Sequence, residues 1–108
     1  MRRALTRTPT LRERVFTEAE QAYCERRADP YERYAARWAA KEAVLKAMGS
    51  GVGACRWTDI EVARSPSGVP SVVLHGTAKE LATDHGITRW LLTMTHTHRV
   101  AEAIAVAL

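Results

Sequence analysis

The feature that most constrains this chain is an alanine-rich segment at residues 35–53, which runs into three closely spaced glycines. In a helix, at about 100° per residue, one side of this segment carries only small or apolar side chains. The sequence therefore predicts a central helix, opened by Asp29-Pro30 and ended by Gly49 at position C′, whose alanine stripe lies deep in the fold. The stripe comprises Ala36, Ala39, Ala40, Ala43, Val44 and Ala47.

Four charged side chains flank the stripe, with Arg37 and Lys41 at one edge and Glu42 and Lys46 at the other. An ordinary i, i+4 pair of Glu42 and Lys46, worth a few tenths of a kcal/mol on an exposed helix, is one interpretation. A binding site is the other. The glycine loop follows a helix C-terminus, where the dipole is negative, so an anion held there would need cations. A carboxylate among them would suit Mg²⁺, which commonly bridges carboxylates to substrate phosphates.

The segment RWAAKEAVLKAMGSGVG resembles the signature of the holo-acyl-carrier-protein synthases, the small trimeric type of 4'-phosphopantetheinyl transferase. The Lys-Glu-Ala-x-x-Lys-Ala core with its glycine loop is the specific part of the match. Four shorter pieces support it: VFTEAEQAYC at 15–24, RWTDIEV at 56–62, the Gly-x-Pro turn at 68–70 and TMTH at 93–96.

The resemblance implies magnesium-dependent transfer of 4'-phosphopantetheine from coenzyme A to a serine of an acyl carrier protein. Glu42 would be the metal ligand, and Glu42 and Lys46 would be the catalytic residues. The enzyme would be a homotrimer with each site shared between two subunits. The implied coenzyme A-binding residues are Arg37, Lys41, Lys46, Gly49, Ser50, Gly51, Thr95 and His96.

One part of the family pattern has no counterpart in this sequence. The family begins with a strand that carries Gly-x-Asp, and that aspartate is a magnesium ligand, whereas Met1 falls after the position where the strand would end. We expect the reading frame upstream to encode an apolar run with Gly-x-Asp. The alternatives are a metal-deficient chain and an inactive paralogue that still docks a carrier protein.

The first 14 residues hold five arginines and a single acid, and so account for the whole formal charge of +4. A solvated helix face is one interpretation, and a docking surface for an acidic macromolecule is another. The resemblance favours an acidic carrier protein, docked through Arg3, Arg7 and Arg14. A non-enzymatic module that binds nucleic acid is the competing hypothesis, although the sequence has no recognisable nucleic-acid-binding motif.

Local patterns predict the remaining elements. Capping boxes at Thr17–Glu20 and Thr77–Glu80 indicate helices from Glu18 to about Arg27 and from Thr77 to near Gly86. Alternation indicates strands at 59–64, 69–75, 90–97 and 100–108, with alanines 101, 103, 105 and 107 facing the central helix. The predicted fold class is α+β, one domain with an antiparallel sheet packed on helices.

Several classes of protein are excluded. No apolar run approaches the ~20 residues of a membrane span, and no signal peptide is visible. Cys24 and Cys55 are isolated, so neither a disulfide framework nor a zinc site is indicated, and a cytoplasmic location is expected. His96 and His98 would share a strand face, but no carboxylate or cysteine nearby completes a metal site.

Overall fold

The computed structural model describes residues 1–51, 53–97 and 100–108. Within these residues, five helices and four strands are separated by short loops, with a 3₁₀ turn at Trp57–Asp59 before the first strand. The helices are α1 (Arg2–Arg7), α2 (Leu11–Val15), α3 (Glu18–Cys24), α4 (Tyr31–Ala47) and α5 (Gly76–Asp84). The strands are β1 (Ile60–Arg64), β2 (Pro70–Leu74), β3 (Trp90–His96) and β4 (Ala101–Ala107).

The strands form two antiparallel hairpins, β1 with β2 and β3 with β4. The hairpins touch through β2 and β3, and α4 packs mainly on β4. The four alanines of β4 are its half-buried positions, and the residues between them are exposed. This confirms the α+β class, with strand boundaries within one residue of the prediction, although the expected sheet is divided into two hairpins.

Two clusters of buried side chains meet at α4. One lies around α1 to α4, and the other lies where the end of α4 meets β1 and α5. The first contains Leu5, Val15, Phe16, Cys24 and Tyr34; the second contains Val44, Leu45, Met48, Ile60, Ala78 and Ala82. Within the part of the chain that the structure describes, no helix is long and apolar enough to cross a membrane.

The buried side of α4 is rotated from the predicted alanine stripe. Ala36 and Ala40 are buried as expected, but Ala47 is exposed. Arg37 and Lys41 are 2% and 0% exposed and belong to the interior face. The rotation is possible because both cations have neighbours inside the fold, as described below.

Two of the predicted helix ends are confirmed. Glu20 N donates to Thr17 Oγ1 at 3.1 Å and Thr17 N donates to Glu20 Oε1 at 2.9 Å, which completes the capping box of α3. Gly49 has φ +70°, and its N–H bonds to Lys46 O while Ser50 N bonds to Leu45 O. This pair of hydrogen bonds is the Schellman motif, which ends many helices at a glycine.

Other predicted boundaries are wrong. The Thr77 hydroxyl donates to Asp59 Oδ2 at 2.6 Å, so it does not cap α5, which begins at Gly76. Helix α3 ends at Cys24, three residues before the predicted Arg27. At the start of α4 the capping position is Pro30, although the Asp29 carboxylate still accepts from Tyr31 N at 3.3 Å.

The Asp59 carboxylate fixes the start of α5. Its Oδ2 accepts from both the backbone N–H, at 2.9 Å, and the hydroxyl of Thr77. Gly76 lies against the same oxygen with φ +41°, and a Cβ there would be 2.8 Å from it. Any side chain at position 76 would therefore push this carboxylate away.

We expect Gly76→Ala to lower the free energy of unfolding by about 1–3 kcal/mol, through backbone strain and loss of the Asp59 contacts. Gly86→Ala is the matched control, because Gly86 also has a positive φ, of +70°, but open space around its Cβ position. Urea denaturation of both variants measures the difference. Equal losses in the two variants would mean that the Asp59 contact contributes nothing.

Candidate active site

Glu42 and Lys46 lie on the side of α4 that faces the edge of β4. Together with Ala39, Ala43 and residues 101–104 they line a groove of about 410 Å³. Among the described residues β4 pairs only with β3, so this edge of the strand is open. Glu42 is half-buried and Lys46 is exposed. Within the same part of the chain the two make no ion pair with each other, so both charges are available to a ligand.

A second, more apolar cavity of about 370 Å³ adjoins the groove. It shares Glu42, Ala39 and Ala101 with the groove, and its other walls come from α1, α2 and α4. The Glu42 carboxylate therefore lies where a polar groove meets an apolar cavity. The additional lining residues are Met1, Ala4, Leu11, Val15, Phe16, Ala35 and Trp38.

The glycine loop begins one turn after Lys46. Gly49 and Gly51 are exposed, and a Cβ at either position would meet no atom within 4 Å. Ser50 between them is half-buried, and its hydroxyl donates to Met48 O at 3.4 Å. A ligand can thus approach the loop backbone closely, one helical turn along the chain from Lys46.

Lys41 is turned inward and has three partners. Its Nζ donates to Glu20 Oε1 at 2.8 Å, to Trp57 O at 3.0 Å and to Ile60 O. Burial lowers the pKa of Lys41, and the Glu20 carboxylate opposes that shift. An ammonium has three N–H groups, and all three are used. The structure gives Lys41 an internal role in place of the expected contact with coenzyme A phosphates.

Arg37 also points inward, but into a cavity of about 500 Å³ between α3, α4 and β1. We call this cavity the arginine pocket and define it by Tyr23, Arg26, Arg37 and Arg64, all of which line it. The guanidinium carbons of these three arginines lie 4.2–5.8 Å from the centroid of the Tyr23 ring, within the range of cation–π attraction.

The arginine pocket has unsatisfied donors. Arg37 is 2% exposed, and neither its Nε nor that of Arg64 has a hydrogen-bond partner among the described residues. Burial lowers the pKa of the Arg37 guanidinium, a cost that a bound anion would offset. One carboxylate, Glu61, also lines the cavity, and it already pairs with His75 at 2.8 Å. The arrangement suits an anion such as a phosphate group.

Thr95 and His96 do not join the Glu42 groove within one chain. As neighbours on β3 they point to opposite faces. His96 Nδ1 lies 3.6 Å from Glu32 Oε2 in the first turn of α4. Glu32 precedes Glu42 by ten residues, or about 15 Å of helix. The possible partner His98 lies outside the described residues.

The residues around Glu42 fit part of a magnesium site. The described residues contain no group of three His, Cys, Asp or Glu side chains that could hold a metal ion. Magnesium nevertheless binds commonly through one or two carboxylates, taking its other ligands from water and substrate phosphates. Glu42, beside an open groove and a lysine, fits that partial kind of site.

The N-terminal arginines are available at the surface. Arg3 and Arg7 lie on α1 and Arg14 lies on α2, and all three are exposed. They are separate from the arginine pocket, whose residues come from α3 and the segment after it, α4 and β1. The chain therefore presents two cationic regions of different character, one exposed and one around the buried Arg37.

Sequence reasoning did not find Tyr23, Arg26 or Arg64 as site residues. No spacing pattern joins residues 23, 37 and 64, because they meet only when three elements pack together. The one available signal was the turn at Gly68–Pro70, since Gly68 lines the same cavity.

Comparison with known proteins identifies the family of this chain. A family model described as the 4'-phosphopantetheinyl transferase superfamily matches residues 1–104. A holo-[acyl-carrier-protein] synthase of Moorella thermoacetica is 46% identical over 106 residues, which are 98% of this chain and 83% of that protein.

Two crystal structures share the fold. The holo-[acyl-carrier-protein] synthase of Neisseria meningitidis has a TM-score of 0.87 at 27% identity, over 98% of this chain and 86% of that one. The Helicobacter pylori enzyme, in complex with coenzyme A, has a TM-score of 0.86 at 26% identity, over 99% of this chain and 90% of that one. Because the likeness extends over nearly the whole chain in both sequence and fold, the chain belongs to the 4'-phosphopantetheinyl transferase superfamily.

Proposed function

We propose that this chain is a holo-[acyl-carrier-protein] synthase, which moves 4'-phosphopantetheine from coenzyme A to a serine hydroxyl of an apo acyl carrier protein. The observation that carries the proposal is the open groove in which Glu42 and Lys46 lie unpaired beside an exposed glycine loop. The Moorella relative bears the same activity in its name, and the Helicobacter structure holds coenzyme A.

In the proposed reaction the serine Oγ forms a bond to the β-phosphorus of coenzyme A. The bond from that phosphorus to the bridging oxygen breaks, and adenosine 3',5'-bisphosphate leaves with the electron pair while the serine proton is lost. Lys46, an exposed ammonium, is suited to hold the pyrophosphate. Glu42 would hold a magnesium ion, which supplies neutralisation of phosphate charge when bound.

The two cationic sites of α4 cannot act on one coenzyme A molecule from the same chain. Arg37 and Lys46 are nine residues apart, so at 100° per residue they point in opposite directions, and the body of the fold lies between them. The pyrophosphate belongs in the groove, which leaves the 3'-phosphate for the arginine pocket. We propose that the groove of one subunit and the arginine pocket of another bind the same coenzyme A.

An apolar outer face supports assembly into the homotrimer that this sharing requires. The outward side chains of the β3–β4 hairpin include Leu91, Ile104 and Val106, with Leu108 directly after β4, and these four are 42–64% exposed. Contiguous exposed apolar patches on a soluble protein commonly mark interfaces. A contact through this face would bury them and bring neighbouring subunits together.

The oligomer has a direct test. Ile104→Glu places a charge in the middle of the apolar face, so we expect light scattering after size exclusion to show a monomer and the transfer rate to fall at least tenfold. Val69→Glu is the control, because Val69 is also 60% exposed but lies at the other hairpin; it should remain a trimer. A parent chain that is monomeric and fully active would exclude the shared site.

Glu42→Gln tests the catalytic assignment. It removes one charged ligand at a half-buried position, so transfer should fall by a factor of 100 or more, about 2.7 kcal/mol or more in the barrier, with an unchanged unfolding midpoint. The measurement is mass spectrometry of an apo carrier protein after incubation with coenzyme A and magnesium. Glu80→Gln, an exposed change on α5, is the control.

Two results would contradict this assignment. If Glu42→Gln unfolds the protein as it loses activity, Glu42 is structural. If the parent chain binds coenzyme A but modifies no carrier protein, an inactive paralogue that still docks its partner becomes the better account.

The N-terminal arginines would dock the acidic carrier protein. Reversing Arg3, Arg7 and Arg14 together to Glu should weaken carrier-protein binding at least tenfold while leaving coenzyme A affinity unchanged. Added salt should weaken the parent interaction, since exposed charges are screened over about 10 Å at 0.1 M. Reversing Arg56, Lys79 and Arg89, which are also exposed, matches the change in charge and should have a smaller effect. Tight binding of the parent chain to random DNA would favour the nucleic-acid hypothesis.

The proposed location is the cytoplasm. Cys24 and Cys55 are free, and burial raises the pKa of the Cys24 thiol to about 11. A buried, protonated thiol is unreactive. A chain with two free cysteines suits a reducing compartment, where its proposed substrates, coenzyme A and an acyl carrier protein, would be met.

A further inference from the structure

We propose that the ion pair of Glu20 and Lys41 is a positioning device for the arginine pocket, and that Lys41 acts on coenzyme A through this pocket without touching it. The inference rests on the proposed function, because its ligand is coenzyme A. Neither Glu20 nor Lys41 has any exposed side-chain surface.

The pair is the centre of a connected set of hydrogen bonds. Glu20 Oε1 accepts from Lys41 Nζ at 2.8 Å and from Thr17 N at 2.9 Å, and Oε2 accepts from Val62 N at 2.9 Å. The remaining two donors of Lys41 go to Trp57 O and Ile60 O, on either side of the turn into β1. These bonds join α3, α4 and the start of β1 at one point.

The same three elements carry three of the four pocket residues, Tyr23, Arg37 and Arg64, and each of these is a same-face neighbour of a bonded residue. Tyr23 follows Glu20 by three positions in α3, and Arg37 precedes Lys41 by four in α4; both spacings place side chains on one helix face.

The third element, β1, also places a pocket residue on the same face as a bonded residue. Arg64 follows Val62 by two positions in β1, which is one face of a strand. The bonded residues thus lie beside Tyr23, Arg37 and Arg64 on the same faces, and Val62 itself lines the cavity. The bonds therefore hold together the three elements that carry these pocket residues.

Stability alone does not explain a charged pair at this place. A buried ion pair can often be replaced by apolar side chains without loss of stability, because removing two charges from water costs several kcal/mol per ion. Directional bonds offer something that apolar packing does not, which is a fixed geometry. That geometry is needed where several guanidinium groups must be held around one ring despite their mutual repulsion.

The test separates positioning from stability. Glu20→Gln preserves the capping box, in which glutamine is also acceptable at this position, and Lys41→Met removes the charge but keeps the length. Calorimetry would give the affinities of each variant for coenzyme A and for 3'-dephospho-coenzyme A. We define discrimination as the ratio of the two dissociation constants. One charged hydrogen bond to the 3'-phosphate predicts a parent ratio of about 10 or more.

We expect each single variant to lose both stability and discrimination. In the double variant Glu20→Gln/Lys41→Met no charge is left unpaired, so the unfolding midpoint should recover while discrimination stays low. Arg64→Gln removes a charge from the pocket itself, so its ratio of dissociation constants is the reference for complete loss of discrimination. Lys79→Met, a change at an exposed lysine of α5, should leave both quantities unchanged.

Four results would overturn the inference. If discrimination recovers with stability in the double variant, the pair is merely structural. If Lys41→Met loses discrimination but Glu20→Gln keeps it, Lys41 contacts the phosphate directly. A parent chain that binds coenzyme A without discriminating would exclude the pocket as the 3'-phosphate site while leaving the transferase proposal intact; a parent that does not bind coenzyme A would overturn both.

Discussion

Two full charges buried against each other, on Glu20 and Lys41, form the point where α3, α4 and β1 meet. Each ion alone would be expensive to bury, and the pair is tolerable only because nearly every donor and acceptor around it is used. Thr17 and Val62 donate backbone N–H hydrogen bonds to the carboxylate. The carbonyl groups of Trp57 and Ile60 accept hydrogen bonds from the Lys41 ammonium. A network this complete has little freedom to shift, so the elements that it joins are held in one arrangement.

Because this contact fixes helix α4, the helix presents other charged side chains on two separate surfaces. With Lys41 fixed inward, the rotation of the helix about its own axis is fixed as well. Arg37 must then face the arginine pocket, and Glu42 and Lys46 must face the groove beside β4. The alanines that remain are small enough for β4 to lie close to the helix. The orientations of Arg37, Lys41, Glu42 and Lys46 thus follow from one buried contact.

Sequence reasoning succeeded where the interactions are local. The capping box at Thr17–Glu20 and the Schellman motif at Gly49 act within a few residues, and strand alternation depends only on the period of the backbone. It failed where partners are distant in the chain. The Thr77 hydroxyl was predicted to cap its own helix, but it donates a hydrogen bond to Asp59, 18 residues earlier in the chain. Lys41 was expected to bind a phosphate group. Its carboxylate partner in the structure is Glu20, which is 21 positions away, so no local sequence pattern links the two.

The two cationic surfaces of α4 also constrain the assembly. Under the proposed function, a coenzyme A molecule that needs both a groove and an arginine pocket would find them on different subunits, because one helix presents them in opposite directions. In an open chain of subunits, one groove and one pocket would be left unused at the ends. Closed symmetry removes those ends and lets every groove meet a pocket. In the proposed closed ring, the buried pair of Glu20 and Lys41, by fixing α4, would serve two neighbouring sites at once.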